Sequence, residues 1–320
     1  MTYQVTIKDS GHQFGVELDG IVLDAALAQD IGLAYGCQSG NCGACRAKLI
    51  SGSVRYDAKP EGLSEIELRL GYTLLCQARA QSDLMLQVEE LPNHQAIRVR
   101  NLPVRVARKQ LLSHDVMALY LQLPRDTQFE FLAGQYVDIL LADGRRRSFS
   151  LANPPGAGAQ LLELHLRHAP QGQFTDYVFN QMPDRALLRI EGPLGNFYLR
   201  ESDQPALLIG GGTGFAPLKG MLEQAFARRL SRPLHLYCGV RSKRDLYMDS
   251  LVRGWRRAHP QFRYTPVLSE PLPEDEWSGR NGLVHEAVAA DYPELRDYEV
   301  YMSGPPVMIQ AGKSRFMELG

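Results

Sequence analysis

Three of the five cysteines in this chain, Cys37, Cys42 and Cys45, fall within nine consecutive positions. They lie in the run Gly36-Cys37-Gln38-Ser39-Gly40-Asn41-Cys42-Gly43-Ala44-Cys45-Arg46, and Cys76 follows after 30 intervening residues. The count is odd, and the opening MTYQVTIKDS has no apolar stretch behind a basic head, so a disulfide framework of the exported kind is not expected. The clustering asks instead for a metal or redox role. Cys238 stands apart in an apolar, strand-like run and reads as a core thiol.

Composition narrows the setting. Apolar residues make up 44% and charged residues 22% of the chain, an ordinary globular balance. Lys+Arg is 35 against Asp+Glu 36, so the basic excess of a nucleic-acid binder is missing. No run approaches the roughly 18–20 apolar residues that would span a bilayer. A soluble, cytoplasmic protein with neither a nucleic-acid nor a membrane partner is expected. Charge is uneven: residues 1–93 hold 12 acidic and 7 basic side chains, and the rest 24 and 28, a balance of −5 against +4.

The division coincides with Leu91-Pro92-Asn93-His94-Gln95, which reads as a linker. Before it, alternating Tyr3, Val5 and Ile7, then Val16 and Leu18, predict a hairpin, and Val22–Ile31 has helical spacing. Leu84, Leu86 and Val88 predict a closing strand of a small mixed sheet. From about 100 to 200, short strand-like runs punctuated by turns predict a small antiparallel barrel. From about 205, the apolar runs 206–209, 234–238 and 299–302 alternate with helical stretches at 218–230 and 249–259, as in a parallel sheet with covering helices. Three domains are expected, over 1–93, 99–200 and 201–320; 320 residues suffice for them.

Cys-x4-Cys-x2-Cys with a distant fourth cysteine is the plant-type spacing for four thiolates on a [2Fe–2S] cluster. Gly36, Gly40 and Gly43 let the loop turn tightly while its amides face sulfur. A zinc site is the rival, but zinc loops repeat a close cysteine pair, and Cys76 has no near neighbour. Plain reduced thiols are the other alternative. Further on, Arg145-Arg146-Arg147 can be a solvated hairpin tip, and Thr175 an ordinary helix N-cap. Gly210-Gly211-Gly212-Thr213-Gly214 joins a strand to a helix and suits a pyrophosphate, or tight packing alone. It is neither a Walker loop, lacking Lys-Ser/Thr, nor the G-x-G-x-x-G fingerprint, which fails in either frame.

These features in this order resemble the iron–sulfur flavoprotein reductases of bacterial electron-transfer systems. That family includes the reductase components of phenol hydroxylase, benzoate dioxygenase and methane monooxygenase, and CDP-6-deoxyglucoseen reductase. The resemblance implies a multidomain chain: an α+β (β-grasp) ferredoxin domain, an antiparallel β-barrel FAD domain and an α/β parallel-sheet NAD(P) domain. Arg147-Ser148-Phe149-Ser150 resembles the family's Arg-x-Tyr-Ser flavin signature, with Phe149 replacing Tyr and losing one hydroxyl. His165-Leu166-Arg167 occupies the strand that passes the FAD phosphate and adenosine in the family, and Gly172-Gln173-Phe174-Thr175 resembles its second flavin element. Gly211, Gly212, Thr213, Gly214 and Pro217 match its nicotinamide-dinucleotide turn. Ser303-Gly304-Pro305 matches its Cys-Gly-Pro segment with serine for cysteine.

Ser150 and Ser303 are then the hydroxyls expected beside the reacting rings. Arg241, with Lys243 and Arg244, leaves NADPH open beside NADH, though relatives with a similar segment often use NADH. The implied function is electron transfer from NAD(P)H through FAD and [2Fe–2S] to a separate oxygenase or dehydratase. A stand-alone diaphorase and a redox-sensing adaptor are the alternatives. After Met308 the chain runs only to Gly320, where relatives continue into a segment that can lie over the flavin; a truncated chain or a more open flavin face would account for that.

Overall fold

The computed structural model describes residues 2–91, 97–125, 127–156 and 161–320, so Pro92, Asn93, His94 and Gln95 of the expected linker lie outside the described residues. Two units separate: one of residues 1–98 with Leu194–Phe197, the other of Val99–Pro193 with Tyr198–Gly320.

In the first unit, the alternating apolar residues form the antiparallel pair β1 (Thr2–Ile7) and β2 (Gln13–Glu17), which buries Val5, Ile7, Phe14 and Val16. Helix α1 (Val22–Ala28) buries Val22, Leu23 and Ala26. It stops short of Ile31 because Asp30 turns to φ 61°, outside the helical region. There follow β3 (Arg46–Ser51), β4 (Val54–Arg55), α2 (Glu65–Arg69), β5 (Tyr72–Leu74), β6 (Arg79–Ala80) and β7 (Leu84–Gln87). The main sheet runs β2-β1-β7-β3-β5, with β1 and β7 parallel and the other pairs antiparallel. This is the expected mixed β-grasp sheet. The loop between α1 and β3 carries three of the cysteines.

The second unit opens with the barrel: β8 (Arg100–Leu111), β9 (Val116–Gln122), β10 (Tyr136–Leu140), β11 (Arg146–Ser150), β12 (Leu161–Arg167) and β13 (Leu187–Leu194). Their order is β11-β10-β13-β8-β9-β12, and a Leu151–Leu164 bridge joins the two ends. Helix α3 (Gln173–Asp176) runs into a π-helical turn, Tyr177–Gln181. The parallel sheet follows: β14 (Ala206–Gly211), α4 (Phe215–Ala227), β15 (Leu234–Val240), α5 (Asp249–Ala258), β16 (Phe262–Leu268), β17 (Arg280–Asn281), α6 (Val284–Asp291), β18 (Glu299–Ser303) and α7 (Pro306–Met317). Its order is β17-β16-β15-β14-β18. Strand order reverses beside β14, and the carboxyl end of a strand at such a switch point is where open α/β sheets bind ligands.

Candidate functional site

The cysteine loop is built so that backbone amides point at sulfur. The N–H groups of Ser39, Asn41 and Cys42 donate to Cys37 Sγ at 3.4, 3.4 and 3.3 Å, and those of Cys37 and Ala44 donate to Cys42 Sγ at 3.4 and 3.5 Å. Turning the amides inward requires left-handed backbone at Gln38, Gly40 and Gly43, with φ 52°, 78° and 72°. A Cβ on Gly36 would stand 3.0 Å from Cys42 Sγ. Gln77 fastens the loop to the fourth cysteine, its amide donating to the carbonyls of Gln38 and Cys76 at 2.8 Å each.

The four thiols pair as Cys37 with Cys42 and Cys45 with Cys76. The hydrogen bond from Cys42 holds the Cys37 thiol down to about 4, and the bond from Cys45 lowers Cys76. The partners Cys42 and Cys45 are pushed up, first by the same bonds and then by burial. Within each pair one thiol gives up its proton more readily than the other, and a metal binds the deprotonated form. Among the described residues, no three of these sulfurs lie within 4.8 Å of one another. One tetrahedral zinc would hold all four roughly 3.8 Å apart, at a Zn–S distance of about 2.3 Å. Two close pairs with amides aimed at sulfur fit a two-iron centre better than a single zinc.

In the second unit, one cavity of about 380 Å³ gathers residues from distant motifs. Ser148, Phe149 and Ser150 reach it from β11, His165 and Arg167 from β12, Gly211, Thr213 and Gly214 from the glycine turn, and Ser303, Gly304 and Pro305 from the end of β18. Phe149 packs on Phe174 with ring centroids 5.8 Å apart. The Ser148 hydroxyl is engaged, donating to Asp138 at 2.6 Å. The arginine run divides cleanly. Arg145 pairs with Asp143 and Arg146 with Glu191, whereas among the described residues Arg147 donates only to the Arg146 carbonyl. Arg147 is therefore the member of the run with no carboxylate partner among the described residues. The cavity's aromatic wall and hydroxyls, with Arg147 on the same strand but outside the cavity's lining, are a set that could hold a flavin nucleotide.

Other expected residues stand apart from this cavity. Leu166 points into the barrel core, so only its backbone is available. Gly172 is the N-cap of α3, which overturns the reading of Thr175 as that cap. The Thr175 hydroxyl instead donates to the Gly172 carbonyl and accepts from the Ala169 N–H, at 3.0 and 3.2 Å. Gln173 accepts from Arg145 at 2.5 Å, and Pro217 is buried in the first turn of α4. His165 and His168 do not converge. His165 is buried, while His168 stacks on Phe179 with centroids 4.8 Å apart.

A second cavity, of about 290 Å³, shares Arg167, Gly211, Thr213 and Pro305 with the first and continues past Gly212 to Gly239 and Arg241. Its glycines also serve packing. A Cβ at Gly211 would lie 2.6 Å from Met308 Sδ, and one at Gly239 would lie 2.7 Å from Val284 Cβ. Arg241 lines this cavity, whereas Lys243 turns away to donate to the Asp275 carbonyl at 2.8 Å. Sequence reasoning missed Asp115, Asp245 and Tyr247 on its walls. Asp115 holds Arg167 at 2.6 Å, and no local motif announces a pair 52 residues apart.

A thiolate loop, a flavin-type barrel and a glycine turn on a parallel sheet define an oxidoreductase assembled from three redox modules. Family models match in that order: the 2Fe-2S iron-sulfur cluster binding domain over 5–81, the oxidoreductase FAD-binding domain over 103–198 and the oxidoreductase NAD-binding domain over 208–314. The chain is 37% identical over 320 residues to CDP-6-deoxy-L-threo-D-glycero-4-hexulose-3-dehydrase reductase of Yersinia pestis, covering 100% of this chain and 95% of that protein. It is also 37% identical to the phenol hydroxylase P5 protein of Acinetobacter pittii, covering 99% and 91%. The crystal structure of the Amycolatopsis cytochrome P450 reductase GcoB superposes with a TM-score of 0.77 at 33% identity, covering 99% of this chain and 95% of that one. The chain belongs to the family of iron–sulfur flavoprotein reductases that these proteins represent.

Proposed function

We propose that the chain takes electrons from NADH, with NADPH as the alternative donor, and delivers them singly to a separate oxygenase or deoxysugar-dehydratase component in the cytoplasm. When bound, the nicotinamide supplies an electron pair, FAD divides it and the [2Fe–2S] cluster carries one electron at a time. Cys37 and Cys42 would hold one iron, Cys45 and Cys76 the other. Arg147 would meet the flavin phosphate, Phe149 and Ser150 its ring system, with the 165–167 strand and the 172–175 turn along the rest of the nucleotide. Gly211, Gly212, Thr213, Gly214, Pro217 and Arg241 would receive the dinucleotide, and Ser303, Gly304 and Pro305 its nicotinamide. The domains would span 1–93, 99–200 and 201–320.

The observation carrying this reading is that Ser150, Gly214 and Ser303, from three separate motifs, line one cavity. No nucleophile or general base is needed, because the residues bind and orient while the cofactors carry the electrons. Its test compares two acceptors. Cys42→Ala is expected to abolish NADH-driven reduction of cytochrome c, a one-electron protein acceptor, while ferricyanide reduction from the flavin persists. Undiminished cytochrome c reduction would refute the relay, and full turnover with free flavin but none with any protein acceptor would favour a diaphorase.

A further inference from the structure

Behind the cavity wall lies a buried polar network in which His165 is joined by residues outside the flavin and glycine-turn motifs. Glu163 and His165 stand on β12, Lys219 and Glu223 on α4, and Tyr247 beyond β15. Lys219 Nζ donates to the Glu163 carboxylate and the Ala152 carbonyl at 3.0 Å each, and to Glu223 at 3.1 Å. The other Glu163 oxygen lies 2.9 Å from His165 Nε2, and the Tyr247 hydroxyl 3.2 Å from His165 Nδ1. The Lys219 side chain is 5% exposed and that of His165 0%, too deep for water to substitute for these partners.

The donor and acceptor roles follow from the partners. Burial pushes Glu163 up, but His165 and Lys219 outweigh it and leave the carboxyl below its usual value, ionised and able only to accept. Burial lowers His165 and raises Tyr247, so the imidazole is neutral and the phenol keeps its proton. Nε2 must then carry the ring proton, and Nδ1 accepts from Tyr247.

We propose that Glu163 and Lys219 are positioning residues for the cofactor cavity: they lock His165 in its Nε2–H tautomer and tie the barrel strand β12 to the dinucleotide-domain helix α4. Both ring nitrogens are committed to Glu163 and Tyr247, so His165 offers the cavity no free N–H. The same chain of bonds joins the barrel, which carries Ser150, to the helix α4 that follows β14, the strand paired with β18 and Ser303. A close approach of backbones supports this junction: a Cβ on Gly220 of α4 would stand 3.0 Å from the Asn153 carbonyl and 3.2 Å from that of Leu151. The functional part of the proposal rests on the flavin and dinucleotide reading of the cavity; the tautomer does not.

The first measurement is therefore the ¹⁵N spectrum of histidine-labelled wild-type protein, with His165 assigned by the signal lost in His165→Asn. It is expected to show Nε2 protonated and Nδ1 bare; the opposite tautomer or a doubly protonated ring overturns the proposal, with or without bound FAD. Second, Glu163→Gln and Lys219→Met are expected to mix the tautomers. Ferricyanide turnover should fall about tenfold or more, the order expected for a lost charge-assisted hydrogen bond, while KM for NADH and FAD content hold. A mixed tautomer with wild-type turnover refutes the positioning role. So does a turnover loss that only follows a loss of FAD or of thermal stability. Should either variant fail to fold, Tyr247→Phe removes one bond from the ring but leaves Glu163 in place, so the Nε2–H tautomer must persist there, and its loss would overturn the assignment of the lock to Glu163. A wild-type protein with the expected tautomer but no FAD would sink the flavin reading alone.

Discussion

Gly214 offers a sharp test of how the glycine turn works. Its backbone, at φ −59° and ψ −13°, is one that alanine adopts readily, so conformational preference alone would favour Gly214→Ala by up to about 1 kcal/mol. Space forbids it. The new Cβ would stand 2.0 Å from the Ser303 carbonyl oxygen, 2.4 Å from its carbon and 2.6 Å from the Gly304 nitrogen. All three are backbone atoms, so relief requires a shift of roughly 1 Å or more in the turn that ends β18, at a cost of about 1–3 kcal/mol or beyond. A misplacement of about 1 Å near the chemistry costs on the order of 100-fold in rate. Gly254→Ala is the matched control. Gly254 lies within α5, and its Cβ would meet nothing within 4 Å, so about 1 kcal/mol of stabilisation is expected. Thermal melting should move in opposite directions, by about 2–4 °C per kcal/mol for a unit of this size. Steady-state ferricyanide reduction should fall only for Gly214→Ala. Wild-type melting and turnover in Gly214→Ala would refute the reasoning.

The arginine run predicts a contrast: Arg147→Ala should weaken FAD retention roughly 10- to 150-fold, as for loss of a charged hydrogen bond of about 1.5–3 kcal/mol. Arg146→Ala, which removes an exposed pair worth about 0–1 kcal/mol, should leave it intact; FAD released on gel filtration distinguishes them. His235 is lowered to about 4, chiefly by burial. The unfolded chain, with its histidine near 6.5, takes the proton first, so stability should fall as pH drops from about 6.5 to about 4, by up to about 3 kcal/mol. Chemical denaturation should show that slope reduced in His235→Gln. The acidic balance of residues 1–93 predicts that electron delivery to a protein acceptor changes between low salt and about 0.5 M, where charge steering is screened; rates flat in stopped flow would remove charge from docking.

Much of the architecture was legible because it repeats locally. The alternation in Tyr3, Val5 and Ile7 and the wholly apolar run at 206–209 each report their own burial, and the cysteine spacing reports its loop. Strand β3 was not legible: Arg46, Lys48 and Ser51 interrupt its apolar residues, and it exists because β7 and β5 flank it. Strand β16 escaped for a similar reason, its buried residues being interrupted by exposed Arg263 and half-buried Thr265 and Pro266. At the site, contiguous motifs were found, while the pairs Asp115–Arg167 and Glu163–Lys219 were not. Such pairs form between elements 52 and 56 residues apart, where no window of sequence contains both partners. Thr175 was misread because Gly172, three residues earlier, already closes the helix start.

The four-residue segment Leu194–Phe197 belongs to the cysteine-bearing unit although it lies a hundred positions downstream. Asn196 makes two bonds with Tyr35, accepting its N–H at 2.9 Å and donating to its carbonyl at 3.2 Å, just two residues before Cys37. The cluster module is thus discontinuous along the gene. A recombination or a fusion cut at the linker alone would carry off the cysteines and leave behind the residue that braces their loop, so exchanging this module between reductases calls for grafting at two points of the chain.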